Sequence, residues 1–200
     1  MGISSSNFYM LVSVEEALGG FPGRSVLELG NQIMRDSHPL RRTSKQYFTG
    51  LEVKEHTYFD INEEDGALPI DLNRLCPEEF WGRYDVVTNF GTAEHIKDQH
   101  AVYLNMHTCC KIGGFLVNSI PLEGFWRGHS PYHYSERFGI ALSEACGYEL
   151  LIDEIKPRHS DWFVNFVARK TTEGWLTNGG FPYSEIRETQ AFRRNTDNRW

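Results

Sequence analysis

What the 200-residue chain lacks excludes several kinds of protein. No run approaches the ~18 consecutive apolar residues of a membrane-spanning helix, so no membrane is expected among its partners. Residues 1–7 lack the basic-then-apolar order of a secretory leader. Cationic excess is missing: 20 Lys and Arg against 27 Asp and Glu leave a net charge of -7. That balance argues against a general nucleic-acid surface. There are only four cysteines, Cys76, Cys109, Cys110 and Cys146. They have no metal-ligand spacing, and the adjacent pair is an awkward disulfide set, so reduced buried thiols and a cytoplasmic location are expected. There is no internal repeat and no Gly-x-Gly-x-x-Gly loop. With 40% hydrophobic and 24% charged residues the composition is that of an ordinary soluble globular protein, long enough for one domain with a substantial core.

The chain is organised around residues 24–32, Arg-Ser-Val-Leu-Glu-Leu-Gly-Asn-Gln. Val26, Leu27 and Leu29 form the short apolar run of a strand covered on both faces. Glu28 interrupts that run and needs hydrogen-bond donors if it is buried. Gly30 allows a sharp turn and the close approach of a ligand. Before this strand, residues 4–7 supply helix N-caps, Phe8, Leu11, Val12 and Leu18 suggest one helical face, and Gly19-Gly20 ends it. After it come Arg35, Arg41, Arg42 and Lys45, solvated surface charges or attractants for an anionic substrate group. Pro39 predicts a loop there, with a short helix over 44–49.

Further strands are predicted at 55–60, 67–70, 84–89 and 115–120, separated by helices or helix-length loops. Asp60 and Asp71 stand where the first two of these strands stop. Val102, Met106 and Cys109 mark a helix beginning near Asp98 and closed by Gly113-Gly114. Ser135 caps another, with Phe138, Ala141, Leu142 and Ala145 on one face and Gly147 at its end. The last two strands, 149–155 and 162–168, are too close for a crossover helix, so residues 156–159 predict an antiparallel hairpin. The alternation of strands and helices predicts an α/β fold with a mostly parallel sheet covered on both faces.

From about residue 6 to 170 this arrangement resembles the class I S-adenosylmethionine-dependent methyltransferases. Val26-Leu27-Glu28-Leu29-Gly30 resembles the family's first motif. Asp60 matches the acid that holds ribose, and Asp71-Leu72 the pair that contacts adenine. Residues 84–91 resemble the fourth motif, and Lys111-Ile112-Gly113-Gly114-Phe115-Leu116 the segment that follows it. The resemblance implies a Rossmann-like seven-stranded sheet of order 3-2-1-4-5-7-6, with strand seven antiparallel. Residues 1–170 would form the methyltransferase-like domain and 171–200 an extension or tail. It further implies S-adenosylmethionine as cofactor, with Glu28, Gly30, Asn31, Gln32, Asp60, Ile61, Asp71, Leu72, Asn89 and Phe90 as its candidate contacts. The first motif departs from the family: Asn31-Gln32 replaces the usual x-Gly, so side-chain amides would bind the methionine end.

Methyl transfer requires the acceptor to be held in line and, for a hydroxyl, deprotonated. His95 follows the fourth-motif strand and is the first candidate base, with His129 and His133 next. The segment 123–134 is rich in aromatics, and Trp126, Tyr132 and Tyr134 are the candidate contacts for a small-molecule acceptor. Glu94-His95 also resembles part of a metal site built from two glutamates and two histidines in some methyltransferases. Gly91 stands where the first glutamate would be, so no metal ligand is assigned. A methyltransferase-like binding or partner subunit without catalysis is the alternative.

Overall fold

A computed structural model describes residues 2–35, 43–175 and 178–189. In chain order these form β1 (Gly2–Ile3), α1 (Ser5–Leu18), β2 (Ser25–Leu29), β3 (Ile33–Met34), α2 (Ser44–Gly50), β4 (Glu55–Phe59) and β5 (Tyr84–Phe90). They continue as α3 (Gln99–Cys109), β6 (Cys110–Pro121), β7 (Tyr132–Tyr134), α4 (Phe138–Cys146), β8 (Glu149–Arg158), β9 (Asp161–Arg169) and β10 (Ile186–Glu188). No helix among the described residues is long and apolar enough to cross a membrane.

The central sheet has six strands in the order β4-β2-β5-β6-β9-β8. β4, β2, β5 and β6 are mutually parallel, while β9 is antiparallel to both of its neighbours. This is the predicted order without its third strand. Within 67–70 only Leu68 pairs, bridging Phe59, donating its N–H to Tyr58 O at 2.9 Å and accepting from Asp60 N at 3.0 Å. Ile70, whose N–H would make the next rung, instead turns back around Pro69 to donate to Leu68 O at 2.8 Å, so the ladder stops after one rung. The terminal hairpin forms, but later than predicted: Arg158 pairs with Asp161, leaving His159 and Ser160 as the turn. Pro157 lies within β8, an edge strand, where a missing donor costs little.

Alternate residues of the parallel strands serve two cores, as the period of two requires. Leu27, Leu29, Val87 and Leu116 pack with α3 and α4, whereas Val26, Val86 and Val117 pack with α1 and α2. The buried stripe of α1 is Asn7, Met10, Leu11 and Val14, while Val12, expected to be inside, is 38% exposed. Asn7 sets this face. It caps the helix by accepting Ser4 N–H at 2.7 Å and donates to Ser119 Oγ at 3.2 Å. Helix α3 ends at Cys109, ahead of the predicted glycines, because its chain enters β6 directly.

The described residues after Lys170 lie against this body. β10 pairs antiparallel with β7, and Phe181, 4% exposed, packs against Tyr103 and Phe138. Lys170 is itself wholly buried, its ammonium satisfied by His107 O and Cys110 O at 2.9 Å and Glu173 Oε2 at 2.8 Å. Arg41, Arg42 and residues 190–200 lie outside the described residues.

Candidate functional site

The chain runs outward from β2 to β4 and returns to β5 on the other side of β2. In an open parallel sheet such a reversal leaves a crevice beyond the carboxyl ends of the strands. Gly30, Asp60, Thr92 and Ile96 follow those ends and line a small cleft with Ile61, Asp71 and Leu72. Its volume is about 20 Å³, roughly the room of one water. Gly30 has φ +87°, and a Cβ there would stand 2.4 Å from Thr92 Oγ1 and 2.7 Å from Gln32 Nε2. Only glycine suits that position.

Asp60, 8% exposed, accepts Asn31 N–H at 2.8 Å on Oδ2 and Asn62 N–H at 3.1 Å on Oδ1. Each carboxylate oxygen keeps a further lone pair, so the group can still accept from a diol. Asp71 is held below the usual carboxylate range by hydrogen bonds from the Asn73 side chain and backbone. Leu72 is buried beside it, and Ile61 is 40% exposed.

The two departures from the family loop behave differently. Asn31 turns outward, its amide donating to Glu64 O at 3.3 Å and Asp65 Oδ2 at 2.9 Å. Gln32 turns inward and is 2% exposed. Its Nε2 donates to Leu29 O at 3.1 Å and Thr92 Oγ1 at 3.3 Å, while its buried Oε1 has no partner. Glu28 does not line the cleft. It is wholly buried, with His56 Nε2 2.8 Å from Oε2 and its Oε1 without a hydrogen-bond partner. Asn89 is a brace: its Oδ1 accepts Thr92 N–H at 3.1 Å and Ala93 N–H at 3.0 Å, fixing the turn at 93–95, and its amide donates to Asn118.

A second cavity of about 280 Å³ lies on the other side of that turn. Phe90, Gly91 and Glu94 line it from the end of β5 and the turn after it, Trp126 and His129 from the aromatic segment, and Arg158 and Phe163 from the terminal hairpin. Gly2, Asn7 and Arg35 complete the wall. Trp126 donates its indole N–H to Trp162 O at 2.7 Å, and its ring centroid lies 4.7 Å from that of Phe163 and 5.1 Å from that of His129. Glu94 is 1% exposed; its Oε1 lies 3.8 Å from His129 Nε2, and its buried Oε2 has no hydrogen-bond partner. His95 meets His129 edge-on with ring centroids 5.2 Å apart. Burial holds the His95 imidazole below its usual pKa. The same cause lowers that of His133, which is 3% exposed and whose Nε2 has no hydrogen-bond partner.

The other two predicted acceptor residues lie elsewhere. Tyr132 faces an open third cavity of about 650 Å³ with Asn73, Lys97 and Asp98. Tyr134 belongs to the core: it is wholly buried, donates to Gln99 Oε1 at 2.6 Å and packs on Phe138. The two tyrosines share one face of β7, with Tyr134 at its buried end and Tyr132 half-buried at the cavity. Glu94 and Arg158 were not assigned to the site from sequence. Glu94 had a signal, a carboxylate in the turn immediately after a strand end. Arg158 had none, since only the folded hairpin returns it to this edge.

No family model matches the chain, and no curated protein matches it. Several solved structures are similar in fold. The 1,6-didemethyltoxoflavin-N1-methyltransferase of Burkholderia thailandensis, with bound 1,6-didemethyltoxoflavin and S-adenosylhomocysteine, is 15% identical with a TM-score of 0.61, over 84% of this chain and 79% of its own. The cyclase SpnF is 12% identical with a TM-score of 0.58, over 82% of this chain and 81% of its own. The branched-chain polyamine synthase of Thermus thermophilus, with N4-aminopropylspermidine and 5'-methylthioadenosine, is 15% identical with a TM-score of 0.53, over 84% of this chain and 56% of its own. The chain therefore has the Rossmann-like methyltransferase fold, and these identities speak to the fold alone.

Proposed function

We propose that the protein is an S-adenosylmethionine-dependent methyltransferase acting on a small molecule, with a hydroxyl group as acceptor. The observation that carries this reading is the 90–96 segment. Thr92 and Ile96 line the cleft, while Phe90, Gly91 and Glu94 line the larger cavity, so one turn stands between two ligand spaces. A group-transfer enzyme needs donor and acceptor spaces that meet, so that the reacting atoms come within about 3–3.5 Å in line, and a turn that borders both spaces suits that.

The cleft residues suit the cofactor. Asp60 offers acceptors to both ribose hydroxyls, and Ile61, Asp71 and Leu72 border the adenine. Gly30 leaves room at the turn, and the unpartnered Oε1 of Gln32 suits the ammonium of the methionine end. The lining residues would have to part to admit it, given the cleft's small volume. Bound there, S-adenosylmethionine supplies an electrophilic methyl group on a sulfonium.

The chain's own residues would then do three things. Trp126, Phe90 and Phe163 exclude water and orient the acceptor by apolar contact. Arg35 and Arg158 attract a carboxylate or phosphate on the acceptor. The imidazoles gathered near Glu94 (His95, His129 and His133) take up the hydroxyl proton. The four cysteines are buried free thiols, as the cytoplasm would keep them.

The alternative is a methyltransferase-like binding or partner subunit without catalysis. Methyl-labelled S-adenosylmethionine, offered with pools of hydroxylated aromatic and sugar acids, separates the two. Label should pass to at least one pool, and transfer should be lost in Asp60→Ala. Cofactor binding with no label transferred to any pool would support the binding subunit instead.

A further inference from the structure

We propose that Glu94, His95 and His129 together hold a divalent transition-metal ion in the larger cavity. One carboxylate oxygen and one ring nitrogen from each histidine already lie within 4.8 Å of one another. The closest pair described, Glu94 Oε1 and His129 Nε2, is 3.8 Å apart. Ligands that share an ion through bonds of about 2.0–2.2 Å stand roughly 3–3.5 Å apart, so side-chain rotations of an ångström or so would close the site.

The Glu94 carboxylate is otherwise poorly served. Glu94 is 1% exposed, yet its Oε2 is buried without a hydrogen-bond partner. A carboxylate in that position is costly unless a cation compensates it. His129, one-third exposed, meets only one of its oxygens. A bound ion would supply the missing charge and take both imidazoles in their neutral form.

Two of the ligands are set by the backbone. Glu94 and His95 lie in the turn that Asn89 fixes. The third comes from a different part of the chain: His129 N–H donates to Trp126 O at 3.0 Å, and Trp126 N–H is anchored by Asp161 Oδ1 at 2.8 Å. The ion would therefore tie the aromatic segment to the end of β5. This is why the sequence assigned no metal: Gly91 leaves the local pattern incomplete, and His129 completes a three-ligand set only in the fold.

Two imidazoles and one carboxylate suit zinc, iron(II) or a similar first-row ion rather than calcium or magnesium, which prefer oxygen ligands. Three protein ligands leave a position open, and an acceptor oxygen bound there would lose its proton more readily. His133, outside the three, would then remain to take that proton. This use of the ion rests on the methyltransferase reading above, whereas its binding does not.

Tag-free protein stripped with chelator and titrated with cobalt(II) chloride tests the site by visible absorption and calorimetry. One equivalent should bind per chain, with the visible band of cobalt in a nitrogen and oxygen site. Glu94→Gln and His129→Ala should each weaken binding at least tenfold, and the surface variant His159→Ala should leave it unchanged. If Glu94→Gln fails to fold, His129→Ala carries the test, since that side chain is one-third exposed. No saturable equivalent, or one that His129→Ala leaves unchanged, overturns the proposal. S-adenosylhomocysteine binding on the same samples keeps the two readings apart. Cobalt without nucleoside binding sinks the methyltransferase reading alone, and the reverse sinks the metal site alone.

Discussion

Replacing Gln32 by Ala isolates the least orthodox part of the cofactor site. In the native protein its amide donates two long bonds, to Leu29 O at 3.1 Å and Thr92 Oγ1 at 3.3 Å. Such bonds contribute roughly 0.5–1.5 kcal/mol each, but the unpartnered Oε1 costs a comparable 1–3 kcal/mol. Truncation removes both effects, so global stability should change by no more than about 1 kcal/mol. Cofactor affinity should change more. If Oε1 accepts from the ammonium of the methionine end, the lost bond is charge-assisted and worth about 1.5–3 kcal/mol, roughly a ten- to hundredfold weakening. The effect should depend on the part of the ligand that bears the ammonium. Calorimetry with S-adenosylhomocysteine should show the full loss, and 5'-methylthioadenosine, which has no amino-acid moiety, should bind wild type and variant alike. Equal weakening of both ligands, or tighter binding of S-adenosylhomocysteine, would refute the reasoning and make Gln32 a packing group or a plug.

Two further perturbations follow from the same geometry. Gly30→Ala forces a side chain onto φ +87° and into Thr92 Oγ1 and Gln32 Nε2; denaturant unfolding should record a loss of at least about 2 kcal/mol, and a near-neutral result would mean the turn is not fixed as described. His107 is 2% exposed, and burial, reinforced by the Lys170 charge, lowers its pKa to about 4. A native imidazole that resists protonation while the unfolded one accepts it near 6.5 contributes stability above that pH, lost as pH falls towards 4. Urea unfolding at pH 7 and pH 5 should therefore show about 2 kcal/mol more loss in wild type than in His107→Gln, and parallel losses would contradict the assignment.

Much of the fold was legible because its signals are local. Val26–Leu29 and Val86–Val87 read as strands through apolar runs that serve both faces of a parallel sheet, and Gly19 and Gly147 closed α1 and α4 as left-handed C-caps. The shortness of the link between β8 and β9 disclosed the antiparallel hairpin. The third strand failed at Pro69, where the chain turns back and Ile70 N–H bonds Leu68 O instead of the neighbouring strand. The partnership of β7 with β10 gave no local signal, since three residues pair with three others more than fifty positions away. The site was legible where a residue sits at a strand end, as Gly30 and Asp60 do. It was not legible where side chains choose between inside and outside: Glu28 found His56, Tyr134 entered the core, and Glu94 acquired His129 from another segment.

The account depends most on the claim that the edge formed by β4, β2 and β5 binds an adenosyl cofactor through Asp60. Isothermal titration of the purified protein with S-adenosylhomocysteine and with NAD tests this directly, in wild type and Asp60→Ala. One equivalent of S-adenosylhomocysteine should bind and NAD should not. Loss of the charge-assisted bonds to the ribose should weaken binding by about 2 kcal/mol, roughly thirtyfold. Absence of S-adenosylhomocysteine binding, preference for NAD, or an unchanged affinity in folded Asp60→Ala would contradict it.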